Sequence, residues 1–271
     1  KISVITITSR DMYIPEIIAC LKKQSFQDFE YIVVDDLKDK HNFSELVGGA
    51  FPFIHMTPFN VVPYYAASAA FNDGLTRAKG ELVFFTADYI VPHHDCLRRH
   101  WELHLKYPKA FFSGRCLEVD FLPQELETKT GSFKGADYRF GLFTNSYFQW
   151  SMIEETVFAS GKEGVQNWWA GRNDSAPMDA ILECNGLDES MDGRHGYQDE
   201  DLAQRMQILG YNYLIDTQST CLFFQHERSN KMVLRSEAEH HIFKDRVIPQ
   251  RIKDKIYRVN EHRDLKRERE L

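Results

Sequence analysis

Three short runs of β-forming residues, each ending in polar side chains and each followed by a helix-period stretch, constrain this chain most. Residues 1–8 read "KISVITIT", residues 30–36 "EYIVVDD" and residues 81–88 "ELVFFTAD". None shows the steady apolar-polar alternation of a strand with one wet face, so each reads as a strand covered on both sides. Between them, "YIPEIIACLKKQ" sets Ile14, Ile17, Ile18 and Leu21 on one helical face, and "YYAASAAFNDGLTRAKG" has helical composition with Gly80 as its expected stop. This β-α-β-α-β order predicts an α/β fold with a mostly parallel central sheet flanked by helices. Such sheets bind ligands outside the carboxyl ends of their strands, where strand order reverses. The polar residues collect at those ends: Thr8, Ser9 and Arg10, then Asp35 and Asp36, then Asp88.

Farther along, "HHDCLRRHWELHLK" predicts a helix with Leu97, Trp101 and Leu105 at four-residue steps. His100 and His104 share that helix at a spacing that can bind zinc. No third ligand is suggested, so they are expected on an exposed face. "KAFFSGRCLEV" predicts a strand. Residues 120–177 are aromatic and loop-rich, which suits a substrate-facing region. In "DEDLAQRMQILGYNYLID", Leu202, Met206 and Leu209 form a helical stripe, Gly210 stops it and a strand follows. No repeat and no Pro/Gly/Ser linker divides the chain.

Composition excludes several classes. Thirty-three Lys and Arg against 40 Asp and Glu leave a net charge of −7, which argues against general nucleic-acid binding. Five scattered cysteines without a CxxC pair suit reduced core thiols in the cytoplasm better than a disulfide scaffold. No apolar run reaches the roughly 18 residues of a membrane span. The basic end, residues 251–271, reads as a solvated helix, with peripheral membrane contact as its alternative. A first residue of Lys suggests a chain trimmed or cut from something longer.

A strand-end cluster of this kind suggests a nucleotide, yet no GxxxxGK[ST] or GxGxxG follows the first strand, and "VGGA" at 47–50 is too short to cradle a pyrophosphate. A divalent cation on a carboxylate is the economical substitute for a glycine loop, and Asp88 is well placed to hold it.

Four stretches in order, "ISVITITS", "QSFQDFEYIVVDD", "FNDGLTRAKGELVFFTADYIVP" and "GLDE…GYQDEDLAQRMQILGY", resemble the GT-A fold glycosyltransferases of family 2. These are inverting enzymes that use nucleotide sugars. The likeness spans residues 1–95 and 168–217. It implies a Rossmann-like nucleotide-sugar half (1–95), a fused acceptor-binding and catalytic half (96–227) and a charged tail (228–271).

The resemblance also implies roles. Thr8, Ser9 and Arg10 meet the nucleotide, and Asp36, with Asp35, hydrogen-bonds the base, UDP being the expected carrier. Asn72 touches ribose or sugar, or else makes a structural hydrogen bond. Thr86 and Tyr89 replace acids common in the family's DxD motif, which leaves Asp88 to hold Mn²⁺ or Mg²⁺, with His226 as the expected second ligand. Six residues before Arg205 stands Asp199, the expected base that takes the acceptor hydroxyl's proton. Its place at a helix start favours the ionised form. Gln198 and Glu200 flank it. Trp168 and Trp169 are expected to stack a sugar, with Asn173, Asp174 and Ser175 on hydroxyls; core packing is the other reading of the tryptophans. No QxxRW signature is present, which argues against processive polymer export. Nucleotidyl transfer on a similar sheet, and a catalytically silent binding module, are the competing readings.

Overall fold

Strands β1 (Ile2–Thr8), β2 (Phe29–Asp35) and β4 (Leu82–Ala87) form from the three opening runs, and a short β3 (Phe53–Met56) joins their edge. The structure is a computed structural model that describes residues 1–119, 157–158, 171–224, 231, 234, 236, 239, 242 and 246–271. These four strands are all parallel, in the order β3-β2-β1-β4. Helices α1 (Ile14–Leu21), α2 (Phe43–Val47), α3 (Ala67–Arg77) and α4 (Cys96–Lys106) cover them.

Successive residues of each strand feed opposite cores, which is why no alternation appears in the sequence. Val4, Val33 and Phe84 pack with Ile14, Ile17 and Leu21 of α1. Their neighbours Ile5, Ile32, Val34 and Phe85 pack with Phe71 and Leu75 of α3. Each fully buried side chain of this size contributes about 1.5–3 kcal/mol before its ordering cost. Helix α3 stops at Arg77, ahead of the expected glycine, because Ala78 is already extended. Gly80 serves a different purpose: its N–H donates to Ser3 Oγ at 2.7 Å, and a Cβ there would run into the Ser3 backbone.

The second half extends the same sheet with β5 (Ile90–Pro92), β6 (Ala110–Val119), β7 (Val157–Phe158), β8 (Asp174–Pro177) and β9 (Asn212–Phe224). The order continues β4-β8-β6-β9-β5, with β7 also on β9. Strand β8 is antiparallel to β4 and pairs Asp174 with Phe85. That direction matters: the start of β8 reaches the rim where β4 ends. Helices α5 (Met178–Glu183) and α6 (Gln198–Ile208) follow, and Gly210, at φ +86°, ends the turn after α6.

Two expectations fail on burial. His100 lies at 0% exposure rather than on an open face, with Nδ1 2.7 Å from Ser175 Oγ and Nε2 2.9 Å from Asn173 Oδ1. Leu105 is 64% exposed, because Cys96, Leu97, His100 and Leu103 form the inward stripe of α4. The basic end is not a free helix either. Helices α7 (Ile248–Asp254) and α8 (Leu265–Glu268) flank a segment that packs back on both halves, against α3 as well as α5 and α6. Arg263 pairs with Asp73, Glu189 and Glu268, Arg251 with Asp188 and Asp201, and Leu265 is fully buried. All five cysteines are free and buried. No helix among the described residues is long and apolar enough to cross a membrane.

Candidate active site

Strand order reverses between β1 and β4, and a cavity opens there, at the carboxyl ends of both. Ile7 pairs with Ala87, so the next residues of each chain, Thr8 and Asp88, meet across the gap. Thr8 Oγ1 donates to Asp88 Oδ2 at 2.7 Å. Arg10 grips the same carboxylate with its guanidinium fork, Nε to Oδ2 at 3.0 Å and Nη2 to Oδ1 at 2.8 Å. Arg10 also lies over the Tyr89 ring, 5.6 Å from its centroid.

The two acids after β2 part company because successive residues leave a strand in opposite directions. Asp35 turns inward and accepts from Leu37 N at 2.8 Å, with His41 Nδ1 at 2.6 Å and His55 Nε2 at 3.0 Å. Burial opposes its charged form, but the bonds to His55, His41 and Leu37 outweigh it and hold the carboxyl below its usual value. Asp36 lines the cavity and pairs with Lys231 Nζ at 2.9 Å; Lys231 also donates to Val62 O at 2.8 Å.

The start of α6 also lines the cavity. Tyr197 precedes it at φ +71°, a left-handed conformation uncommon outside glycine. Gln198 turns both ends of its amide to its own loop: Oε1 accepts from Gly196 N at 2.8 Å and Nε2 donates to Arg194 O at 2.6 Å. Asp199 lines the cavity, with its carboxylate laid against Gly171. Burial first, and the nearby Asp174 second, push the Asp199 carboxyl up to about 7, while Arg172 pulls the other way. Burial thus works against the preference of a helix start for the ionised form and brings the carboxyl toward neutrality. Arg205 takes no part at the cavity. It is fully buried and ties Asp201, at 2.7 Å, to the carbonyls of Cys184 and Gly186.

Thr8, Ser9, Arg10, Asp36, Asp88, Gln198 and Asp199 therefore share one cavity. Asp35, Asn72, Asn173, Asp174, Ser175 and Glu200 do not line it. Asn72 clasps Leu187 through its N–H and carbonyl, both at 2.9 Å, which is the structural alternative. Asn173 and Ser175 are buried with His100, and Asp174 bonds Ser113 and the Arg172 N–H. Trp168, Trp169 and His226 lie outside the described residues. Lys231, Tyr65 and Gly171 line the cavity without having been expected. Only the positive φ of Gly171 had a possible cue, its residue type. Among the described residues, one group of three is spaced to share an ion, His93, His94 and Asp95, and it stands away from the cavity with Asp95 already held by Ser25 and Arg98.

The profile described as glycosyl transferase family 2 matches residues 3–158, more than half of the chain. The chain belongs to glycosyl transferase family 2. Solved structures of S. aureus TarS share this family 2 chain's architecture. TarS 1-349 in complex with UDP aligns at TM-score 0.60 and 15% identity, over 83% of this chain and 60% of that one. The complex of TarS 1-349 with UDP-GlcNAc aligns at 0.64 and 16%, over 92% and 65%. At that identity the likeness concerns the fold, and the chain spans less than two thirds of the TarS 1-349 length. No curated protein matches it. A GT-A sheet, mostly parallel and flanked by helices, is the frame on which this family 2 site is built.

Proposed function

We propose that the chain is an inverting glycosyltransferase that moves a sugar from a nucleotide diphosphate sugar, UDP-linked, to an acceptor hydroxyl. The observation that carries this reading is the one cavity lined by Asp36, Arg10 and Asp88 at the switch point and by Asp199 at the start of α6. The TarS complexes with UDP and UDP-GlcNAc support the choice of carrier. Residues 1–95 would bind the nucleotide sugar and residues 96–227 would carry the base and acceptor side.

In the reaction, Asp199 takes the acceptor proton as the hydroxyl oxygen forms its bond to the anomeric carbon. The bond from that carbon to the diphosphate oxygen breaks on the opposite face, and the nucleoside diphosphate leaves with the electron pair. The carboxyl near 7 suits a base that must exchange a proton near neutral pH. Asp36 accepts the pyrimidine N3–H, a donor a carboxylate can meet.

A divalent cation, Mn²⁺ or Mg²⁺, fits this donor set on one condition. Asp88 is buried at the switch point, and the Thr86 hydroxyl on the same strand is buried without a hydrogen-bond partner. Arg10 must first release Asp88, and a diphosphate is the acceptor that would draw it away. Asp88 would then hold the ion, which would supply positive charge to the leaving diphosphate. Calorimetry with UDP, GDP and CDP, each with Mn²⁺ and with chelator, tests the proposal. UDP is expected to bind most tightly and to tighten with Mn²⁺. Equal binding with chelator removes the cation, and no nucleotide binding removes the function.

A further inference from the structure

The backbone that delivers β8 to the rim passes through Gly171 and Arg172, for which neither sequence nor family likeness suggests a role. Gly171 has φ +62°, and its bare Cα meets the Asp199 carboxylate: a Cβ there would stand 2.8 Å from Oδ1 and 3.4 Å from Cγ. Any side chain would be both strained and in the way.

Arg172 is anchored beside that contact without gripping it. Its N–H donates to Asp174 Oδ2 at 2.9 Å, its guanidinium lies 5.1 Å from the Phe223 ring centroid, and it bonds the Tyr89 side chain. Tyr89 packs edge-on against Phe223 at 5.1 Å. Arg172 Nε is buried with no hydrogen-bond partner, so packing and Tyr89 hold this cation. A bidentate bridge to Asp199 would occupy both carboxylate oxygens and oppose proton uptake. A cation held to one side supplies its field and leaves the oxygens open.

We propose that Gly171 and Arg172 are positioning residues for the base, Gly171 setting where the Asp199 carboxylate lies and Arg172 holding a fixed positive charge beside it. This rests on Asp199 being that base. Among the described residues, the groups that act on the Asp199 carboxyl include Arg172 and Asp174 at the start of β8, Glu200 and its own backbone N–H on α6, Tyr65 ahead of α3 and Tyr89 after β4. Arg172 is the one cation among them, and it offsets Asp174.

Carboxyl-carbon NMR of the full chain reads this without substrate, with Asp199→Asn assigning the resonance. Arg172→Met is expected to raise the Asp199 midpoint by about one unit or more, and Arg172→Lys to leave it within a few tenths of wild type. An unmoved midpoint in folded Arg172→Met overturns the proposal. Gly171→Ala is expected to lower the rate of UDP release from UDP-GlcNAc while UDP affinity holds; unchanged release overturns the part assigned to Gly171. The same release assay over pH separates the two layers of the reading. If the rate limb follows the NMR midpoint in each Arg172 variant, both stand. If the midpoint moves and the limb does not, Asp199 is not the base and the positioning role falls with it, although the contact is real.

Discussion

Asp88 and Asp199 line one cavity and differ in what surrounds them. Asp88 ends a buried strand, and its two oxygens take three hydrogen bonds, two of them from the Arg10 fork. Asp199 opens a helix, lies on a bare glycine Cα and feels the charge of Arg172, a cation tied to a tyrosine. The difference teaches that a carboxylate's chemistry is set by how its oxygens are spent. A carboxylate held in a fork is a fixed charge that another strong cation or anion can exchange with. One enclosed by protein and left open to the cavity can gain and lose a proton near neutrality.

The sharpest way to break this comparison is Asp199→Asn. Transfer is expected to fall by about 10²–10⁴-fold with UDP affinity unchanged by calorimetry, since an amide cannot take the proton. Retained turnover would remove Asp199 as the base. Asp88→Ala comes next, with an expected loss of roughly 10²-fold in turnover, because charge at the leaving diphosphate is no longer balanced. Here UDP binding is expected to weaken as well and to lose its response to Mn²⁺, a signature that Asp199→Asn must not share.

The pH profile sharpens the contrast at smaller scale. A general base works only when deprotonated, so with Asp199 in the proposed role kcat/KM is expected to rise about tenfold per unit below its midpoint near 7 and level off above it. A flat profile from mildly acid to neutral pH would return Asp199 to the ordinary carboxylate range. Asp36→Asn is the smallest test. Loss of one charged acceptor should weaken UDP by about tenfold and leave turnover at saturation nearly unchanged, as expected of a residue that binds but does not react. A fall in saturated turnover instead would place Asp36 within the reacting group.

Much of the frame was legible because it depends on local period. β1, β2 and β4 announced themselves by composition, and the polar residues at their ends marked the rim. The order Thr8, Asp36, Asp88 along the chain was enough to expect one cavity. His100 was misjudged for the opposite reason. Four-residue spacing identifies a helix face but not which face turns inward, and Asn173 and Ser175, 73 and 75 residues away, decided that. Lys231 reaches Asp36 from 195 residues away, a pairing no window could suggest.

By itself the sequence determined the parallel sheet, its switch point and the acids that end its strands, because strand period, helix period and chain order are properties of neighbours. Tertiary structure alone decided that Arg10 closes on Asp88, that Asp35 turns away while Asp36 stays, and that Asp199 is enclosed enough to hold its proton toward neutrality. Those outcomes are sums of burial and charge over segments far apart in the chain, and only folding brings the terms together.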